Sequence, residues 1–490
     1  MKPVSTAPRF DVAIVGAGPA GLAASETALA GGARVVVIDS GAQPGGQFWR
    51  HRSEAAGVRD GGEFHHGWGE YLELRAAFDA GIASGALTYL PATSVWLARQ
   101  RPNEEFRLDL APSYGPGTST IPAVQATRLV LATGGYDRQL PVPGWDLPGV
   151  MAAGGIQAHV KQNGSLPGSR FVIAGTGPFL LPVAANVTQA GGTVAAVLES
   201  ANLADWLPRL HRAAGVPSKG LEGAGYIWTF LRHRIPYRPR TIITEILGDD
   251  RVTGVRTARV GRDGVPVAGT ERTISGIDGV GLGWGFTPQL ELPVQLGVQT
   301  AVDVDGSLIA PVDDGQRSSV PGLLLAGELT GVGGAALAVL EGRIAGRVAA
   351  AEALGGGSGA VSGTASGAAL ARPAELRSAR RQRAFASAMH QAHPVPAGWQ
   401  EVVTDDCLVC RCEEVDAGTI RAARSELSGD DHRSQKGVTR AGMGWCQGRV
   451  CGFAAASIAG AGAPTQASLA SSSKRPIAQP VPLSALTEIE

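Results

Sequence analysis

The first 406 positions hold no cysteine; all five lie between 407 and 451. That excludes a disulfide framework spread over a secreted fold and marks one local site. Aromatic residues make up only 5% of the chain, too few for the stacking platforms that grip single-stranded nucleic acid. Lys plus Arg and Asp plus Glu are equal at 43 each, so no excess of positive charge is available for nucleic acid or an anionic membrane. Long apolar runs are missing too. The nearest, Leu323 to Leu340, is interrupted by Glu328 and rich in glycine, so no transmembrane segment is expected. No secretory leader is expected either, because Phe10 to Val15 reads at once as a buried strand. The expectation is a cytoplasmic protein.

Glycine, by contrast, is abundant, at 69 of 490 residues, and the length suggests about three domains. Residues 10–15 read as a parallel-sheet strand, 20–31 as a helix closed by Gly31-Gly32, and 33–38 as the next strand, ending at Asp39. This βαβ pattern returns from Arg170. There, Gly175-Thr176-Gly177-Pro178 repeats Gly16-Ala17-Gly18-Pro19, and Glu199 takes the place of Asp39. Residues 128–132 read as another buried strand, and 321–346 as strand, glycine-rich turn and helix. Gly, Ser and Ala dominate 355–370, the composition of a flexible linker; 373–392 then reads as a basic helix with a solvated face.

In the first unit the glycines sit in their full context. Gly16 permits the tight turn, Gly18 lets backbone reach a pyrophosphate, and Gly21 lets helix and strand pack closely. Pro19 and Ala20 open the helix whose N-terminus attracts negative charge, and Asp39 can bond a ribose hydroxyl. This motif reads the ADP moiety shared by FAD, NAD and ATP. In the second unit Leu180 stands at the third glycine position, with Pro182 close behind. The expectation there is a fold kept without NAD(P) binding; if a nucleotide does bind, Glu199 favours NAD, since a carboxylate repels a 2′-phosphate.

Further segments resemble the two-dinucleotide-domain flavoproteins of the thioredoxin reductase class. They are Ala132-Thr133-Gly134-Gly135 leading to Pro141-Val142-Pro143-Gly144, and Pro44-Gly45-Gly46-Gln47. The resemblance implies bound FAD, with Gly46, Gln47, Thr133 and Gly134 beside it. It also implies a strand ending in Gly-Asp against the ribityl chain; here that pair is Gly327-Glu328. Disulfide reductases of the class carry a cysteine pair near the flavin. With none before Cys407, dithiol exchange at the flavin is excluded unless the C-terminal cysteines swing in.

Cys410-x-Cys412 and Cys446-x4-Cys451 supply four thiolates in two close pairs, suited to a [2Fe–2S] cluster or a tetrahedral zinc. Cys407-x-x-Cys410 offers a zinc-type spacing as an alternative, and Cys407 otherwise has no assignment. Arg411, Arg440 and Arg449 could offset thiolate charge, and the glycines around Cys446 could present backbone N–H groups to sulfur. His390-x-x-His393 and His65-His66 read as solvated rather than ligating. The stretch from Cys410 to Glu414 and that from Thr439 to Cys451 resemble the bacterioferritin-associated-ferredoxin type of [2Fe–2S] domain.

The order flavoprotein, linker, cluster domain resembles the alpha or A subunits of heteromeric FAD-dependent amino-acid and opine dehydrogenases. Gly285-Phe286-Thr287-Pro288 and Arg475-Pro476-Ile477 carry this resemblance too. It implies an α/β chain of two Rossmann-like domains plus a small helical [2Fe–2S] domain. The expected FAD domain covers 1–155 and 265–352, the second dinucleotide-type domain 156–264, the linker 353–372, the cluster domain 373–465, and an extended tail 466–490. It also implies a partner flavoprotein that oxidises a C–N bond, in some members a small ferredoxin-like subunit, and in some FMN between subunits. Delivery of electrons to a membrane acceptor is compatible with it. No general base or nucleophile stands out for substrate chemistry on this chain. Two other expectations stay open: a self-sufficient NAD(P)H-dependent reductase feeding its own cluster, and a non-enzymatic redox or iron sensor.

Overall fold

The computed structural model describes residues 7–57, 61–102, 105–113, 121–355, 372–427, 432–475, 477–481 and 483–486. Two sheets organise these residues. In the first, strands Leu87–Leu90, Val35–Ile38, Arg9–Val15 and Ala123–Leu131 run parallel in that order, and Leu323–Leu325 also pairs with Ala123–Leu131. Antiparallel strands Phe106–Pro112 and Thr93–Gln100 extend the far side. The inner strands are apolar along almost their whole length, as strands covered on both faces must be. The helix Pro19–Ala30 follows the first strand directly and packs against the long helix Ala335–Leu354. Glycine makes that approach possible: a Cβ on Gly342 would fall 2.1 Å from the Ala20 carbonyl oxygen.

The second sheet is wholly parallel, in the order Tyr237–Pro239, Thr193–Glu199, Arg170–Gly175, Gly279–Gly283, Val150–Ala152. The chain passes between the two folds through the antiparallel pair Gly135–Asp137 and Phe286–Pro288. Strands Val150–Ala152 and Gly279–Gly283, expected in the FAD domain, thus belong to the second sheet. A separate antiparallel sheet of three strands spans Thr241–Leu247, Gly254–Arg259 and Arg272–Ser275.

The expected basic helix forms over Pro373–Ala392, but its face is not simply solvated. Ala386, Ala388 and Ala392 are buried, and the helix lies across both dinucleotide folds. Helices Ala417–Leu427, His432–Thr439 and Gly452–Gly460 follow. Helices Ala417–Leu427 and Gly452–Gly460, with the turn at Trp399, pack on the second fold in one continuous core: Trp145, Val172 and Leu198 share it with Trp399, Ile420 and Ile458. The tail departs from the extended expectation, since Gln466–Ser473 and Leu483–Leu486 are helical. Most of the expected linker, at 356–371, lies outside the described residues, as does Pro476. Among the described residues no helix is long and apolar enough to cross a membrane.

Candidate functional site

The first candidate site lies at the carboxyl ends of the first sheet. Gly16 adopts φ +105°, and a Cβ there would fall 2.3 Å from the Ala132 oxygen, which forces the turn against the Thr133-Gly134 loop. A Cβ on Gly21 would fall 1.7 Å from the Gly16 oxygen, so helix and strand are as close as a fingerprint glycine permits. Gly46 folds onto the same turn, its would-be Cβ 2.7 Å from the Gly18 Cα, while Gln47 beside it is exposed and accepts a bond from Arg50. Gly18, whose would-be Cβ meets only the Gly46 Cα at 3.8 Å, keeps open space in front of it. Asp39 accepts N–H bonds from Ala17 and from Gly41, the latter at 2.6 Å. Burial raises its carboxyl above the ordinary carboxylate range despite those two bonds.

Pro19 opens the helix, and Ala20 touches the loop of Gly327, whose would-be Cβ lies 3.2 Å from the Ala20 Cβ. Thr133 donates its hydroxyl to the Gln289 carbonyl at 3.1 Å, and Gly134 takes φ +78°. Glu328, the substitute for the class aspartate, accepts from the Gly334 N–H at 3.0 Å through Oε1. Its Oε2 is buried without a partner. Burial pushes this carboxyl up to about 7. The twelve residues expected around FAD therefore gather in one region. An open approach to Gly18, an acidic strand end and an orphan buried carboxyl oxygen suit an adenine dinucleotide with a polyhydroxyl chain.

Sequence patterns gave no hint of what braces this region. Arg383, on the basic helix, donates to the Gly331 carbonyl at 2.6 Å and the Thr330 hydroxyl at 2.7 Å. It also pairs at 2.5 Å with Glu341, which accepts from the Gly327 N–H at 2.9 Å. His390 is not solvated: its Nε2 meets the Val332 carbonyl at 2.8 Å. His65 is half-buried, and His66, though exposed, is also bonded. His65 lies against Trp68 at 4.5 Å between centroids, and His66 meets the Tyr226 hydroxyl at 2.5 Å, tying the two folds together. All of these partners are remote in sequence or outside any motif, so local spacing carried no signal of them.

The second candidate site is the cysteine cluster. Cys410 and Cys451 are buried, Cys446 half-buried and Cys412 exposed. Their thiols influence one another in series, Cys410 with Cys451, Cys451 with Cys446, Cys446 with Cys412, and the Gly442 N–H donates to the Cys410 sulfur at 3.4 Å. The bond from the Cys451 thiol holds Cys446 down to about 5, helped by the N–H groups of Val450 and Gly448 against burial. The same donor holds Cys410 down to about 6, with N–H groups of Gly442, Glu413 and Cys412. Sharing its one proton between these two thiolate neighbours, together with burial, pushes Cys451 up. Gly442 and Gly448 take φ +83° and +79°, which turns their amides inward, and Gly444 leaves room for Cys412, 2.3 Å from its would-be Cβ. Among the described residues no group of three or more His, Cys, Asp or Glu side chains is arranged to hold a single metal ion. Four neighbouring thiols ringed by amide donors are, by number and kind, the donor set that a [2Fe–2S] centre would need.

Cys407 takes no part in that series. It is buried, its thiol meets the Leu408 carbonyl at 3.8 Å, and burial pushes it up to about 12. The expected arginines have other partners as well. Arg440 pairs with Glu413 at 2.8 Å, and Arg411 lies over Trp145. Arg449 reaches furthest: it donates to the Cys446 carbonyl at 3.2 Å, the Tyr136 hydroxyl at 2.7 Å and Glu291 at 2.9 Å. Tyr136 follows Gly134-Gly135, so two hydrogen bonds link the two sites.

A dinucleotide fold present twice, a first turn built for an adenine dinucleotide and a brace from the helix Pro373–Ala392 define a flavoprotein of the two-domain reductase type. Residues 10–353 match the pyridine nucleotide-disulphide oxidoreductase family, to which the chain belongs as a FAD-dependent oxidoreductase. It is 33% identical to the A subunit of opine oxidase from Rhizobium meliloti over 92% of both chains. To hydrogen cyanide synthase subunit HcnB of Pseudomonas protegens it is 30% identical over 89% of both. Among solved structures, L-proline dehydrogenase from P. horikoshii superimposes with a TM-score of 0.67 over 98% of this chain and 80% of that one, at 17% identity.

Proposed function

We propose that the chain is the electron-transferring FAD and iron–sulfur subunit of a heteromeric complex. A partner flavoprotein oxidises the C–N bond of an amino acid or opine, and this chain carries the electrons away. The convergence of Cys410, Cys412, Cys446 and Cys451 within two hydrogen bonds of the Gly134-Gly135 loop is the observation that carries the reading. Similarity to subunits of opine oxidase and hydrogen cyanide synthase supports a partner. When bound, FAD handles electron pairs and a [2Fe–2S] centre handles single electrons, so both on one chain serve as a two-to-one converter. The residues do the positioning. Gly16, Gly18 and Gly21 would admit the pyrophosphate, Asp39 would bond the ribose, and Glu328 would meet the polyhydroxyl chain. Gly442, Gly448 and Val450 direct amides at the thiolates. Arg449 and Tyr136 fix the distance between the two sites.

The test begins with the anaerobically purified chain. Its absorbance, followed by release and assay of nucleotide, iron, zinc and sulfide, is expected to give FAD with about two irons per chain. Co-expression with a flavoprotein oxidase should confer amine-oxidising activity that the single chain lacks. A colourless protein releasing zinc, or a single chain oxidising an amine at full rate, would sink the reading. Bleaching of the flavin by NADH at a turnover rate would restore the self-sufficient reductase. Unchanged turnover of the intact complex after cluster loss would favour a sensor.

A further inference from the structure

By analogy with the first fold, which is open at Gly18, the second dinucleotide fold should be open at its own glycine turn. Here the chain itself covers it. Glu199, 1% exposed, accepts from the Gly177 N–H and the Ala201 N–H at 2.9 Å each. His393, just past the basic helix, sets its Nδ1 3.3 Å from Glu199 Oε2. Trp206 donates its indole N–H to His393 Nε2 at 2.9 Å. An indole nitrogen only donates, so Nε2 accepts and the ring proton is assigned to Nδ1, which faces Glu199 across that 3.3 Å gap without completing a hydrogen bond. The next residue continues the cover: Thr176 donates its hydroxyl to the Pro394 carbonyl at 3.4 Å. The His393 Cβ lies 4.0 Å from where a Cβ on Gly177 would be.

The walls are built for this occupant. Trp206 lies on the short helix Leu203–Arg209, directly after the Glu199 strand, and its ring lies 5.8 Å from Phe385 and 5.9 Å from His393. Arg209 donates to Gln391 at 3.3 Å. The helix that should point at a pyrophosphate begins late, at Leu180, whereas in the first fold it begins at Pro19. Its leading amides are already spent, Leu180 on the Gly177 carbonyl at 3.3 Å and Leu181 on the Pro178 carbonyl at 3.1 Å. Leu180 occupies space opened by Gly283, whose would-be Cβ lies 2.9 Å from Leu180 Cδ2. These residues do not fit a nicotinamide dinucleotide.

We propose that the second dinucleotide fold is a socket whose ligand is the chain's own His393–Pro394 segment. Glu199, which in a working site would hold a ribose, holds a histidine instead, and the socket anchors the start of the cluster region. The socket does not depend on which partner supplies the electrons.

Two measurements on the full chain carrying its cofactors decide it. In the first, NADH and NADPH are titrated to about 1 mM, following nicotinamide fluorescence under tryptophan excitation. No saturable binding is expected. Saturable binding that Glu199→Ala abolishes would overturn the socket; without flavin bleaching it would leave the proposed electron-transfer role standing. In the second, hydrogen exchange is followed over residues 385–396. Glu199→Gln is expected to speed exchange there about tenfold, with FAD content unchanged, while Asp39→Asn leaves the segment alone. Unchanged exchange in Glu199→Gln would overturn the proposal. Should that variant fail to fold, Trp206→Phe, which removes the indole donor and part of the ring beside Phe385 and His393, is expected to give the same acceleration.

Discussion

Glu328 is a carboxyl whose folded environment favours the proton. Burial raises it from 4.5 to about 7, so the folded chain binds more protons than the unfolded one between those values. Its contribution to stability therefore falls as pH rises through that window and stays low above it. Glu328→Gln removes the slope: its thermal midpoint should match wild type at the acid end and exceed it near neutrality, as melts across that range would register. The glycines act by space rather than charge. Gly21→Ala places a methyl 1.7 Å from a carbonyl oxygen, and the expected outcome is loss of most bound FAD, read as the ratio of flavin to protein absorbance. These positions were legible in sequence because a fingerprint glycine is surrounded by local strand and helix signals. The burial of Glu328 was not, since it follows from how the loop packs in the folded chain, where the Gly334 N–H and the charge of Arg383 offset it only in part.

The helix Pro373–Ala392 shows the same division one level up. Its limits were readable from Pro373 at the start and from its composition. Its alanines gave little sign of which neighbours they would cover, and its arginines read as a solvated row. In the structure Arg383 brings a cation to the Gly327–Gly334 loop, holding both Thr330 and Gly331. Arg383→Ala should leave the buried Glu341 short of a partner and loosen that loop. The expected result is flavin release about tenfold faster on dilution, followed by the rise in free-flavin fluorescence. An unchanged rate would mean that the loop holds its shape without the helix. The tail misled for a similar reason: a Ser-rich composition hid a helix capped by Thr465, whose hydroxyl accepts from the Ser468 N–H at 3.2 Å.

Taken as a whole molecule, the cysteine region is not an appendage. Cys410 and Cys451 lie in the same core as Val172 and Leu198 of the second sheet, and Trp145 donates to the Leu408 carbonyl at 2.6 Å. Stripping the iron proposed for the thiolates should therefore weaken the second fold along with the cysteine loops. Calorimetry is expected to show the chelated chain, and Cys410→Ser, unfolding several degrees lower, with the second fold and the cysteine region still melting together. A small early transition for the cysteine region alone would contradict the shared core. The repeat of the dinucleotide unit was plain in sequence, but not that the second copy had changed its task, because the segment that fills it lies almost two hundred positions away. The pairing of Glu199 with His393 has a consequence for descent. A lineage that loses either residue alone is left with an unmatched group in a closed space, so the two positions should drift as a pair, while the residues of the first turn answer to a ligand that no mutation in this gene can alter.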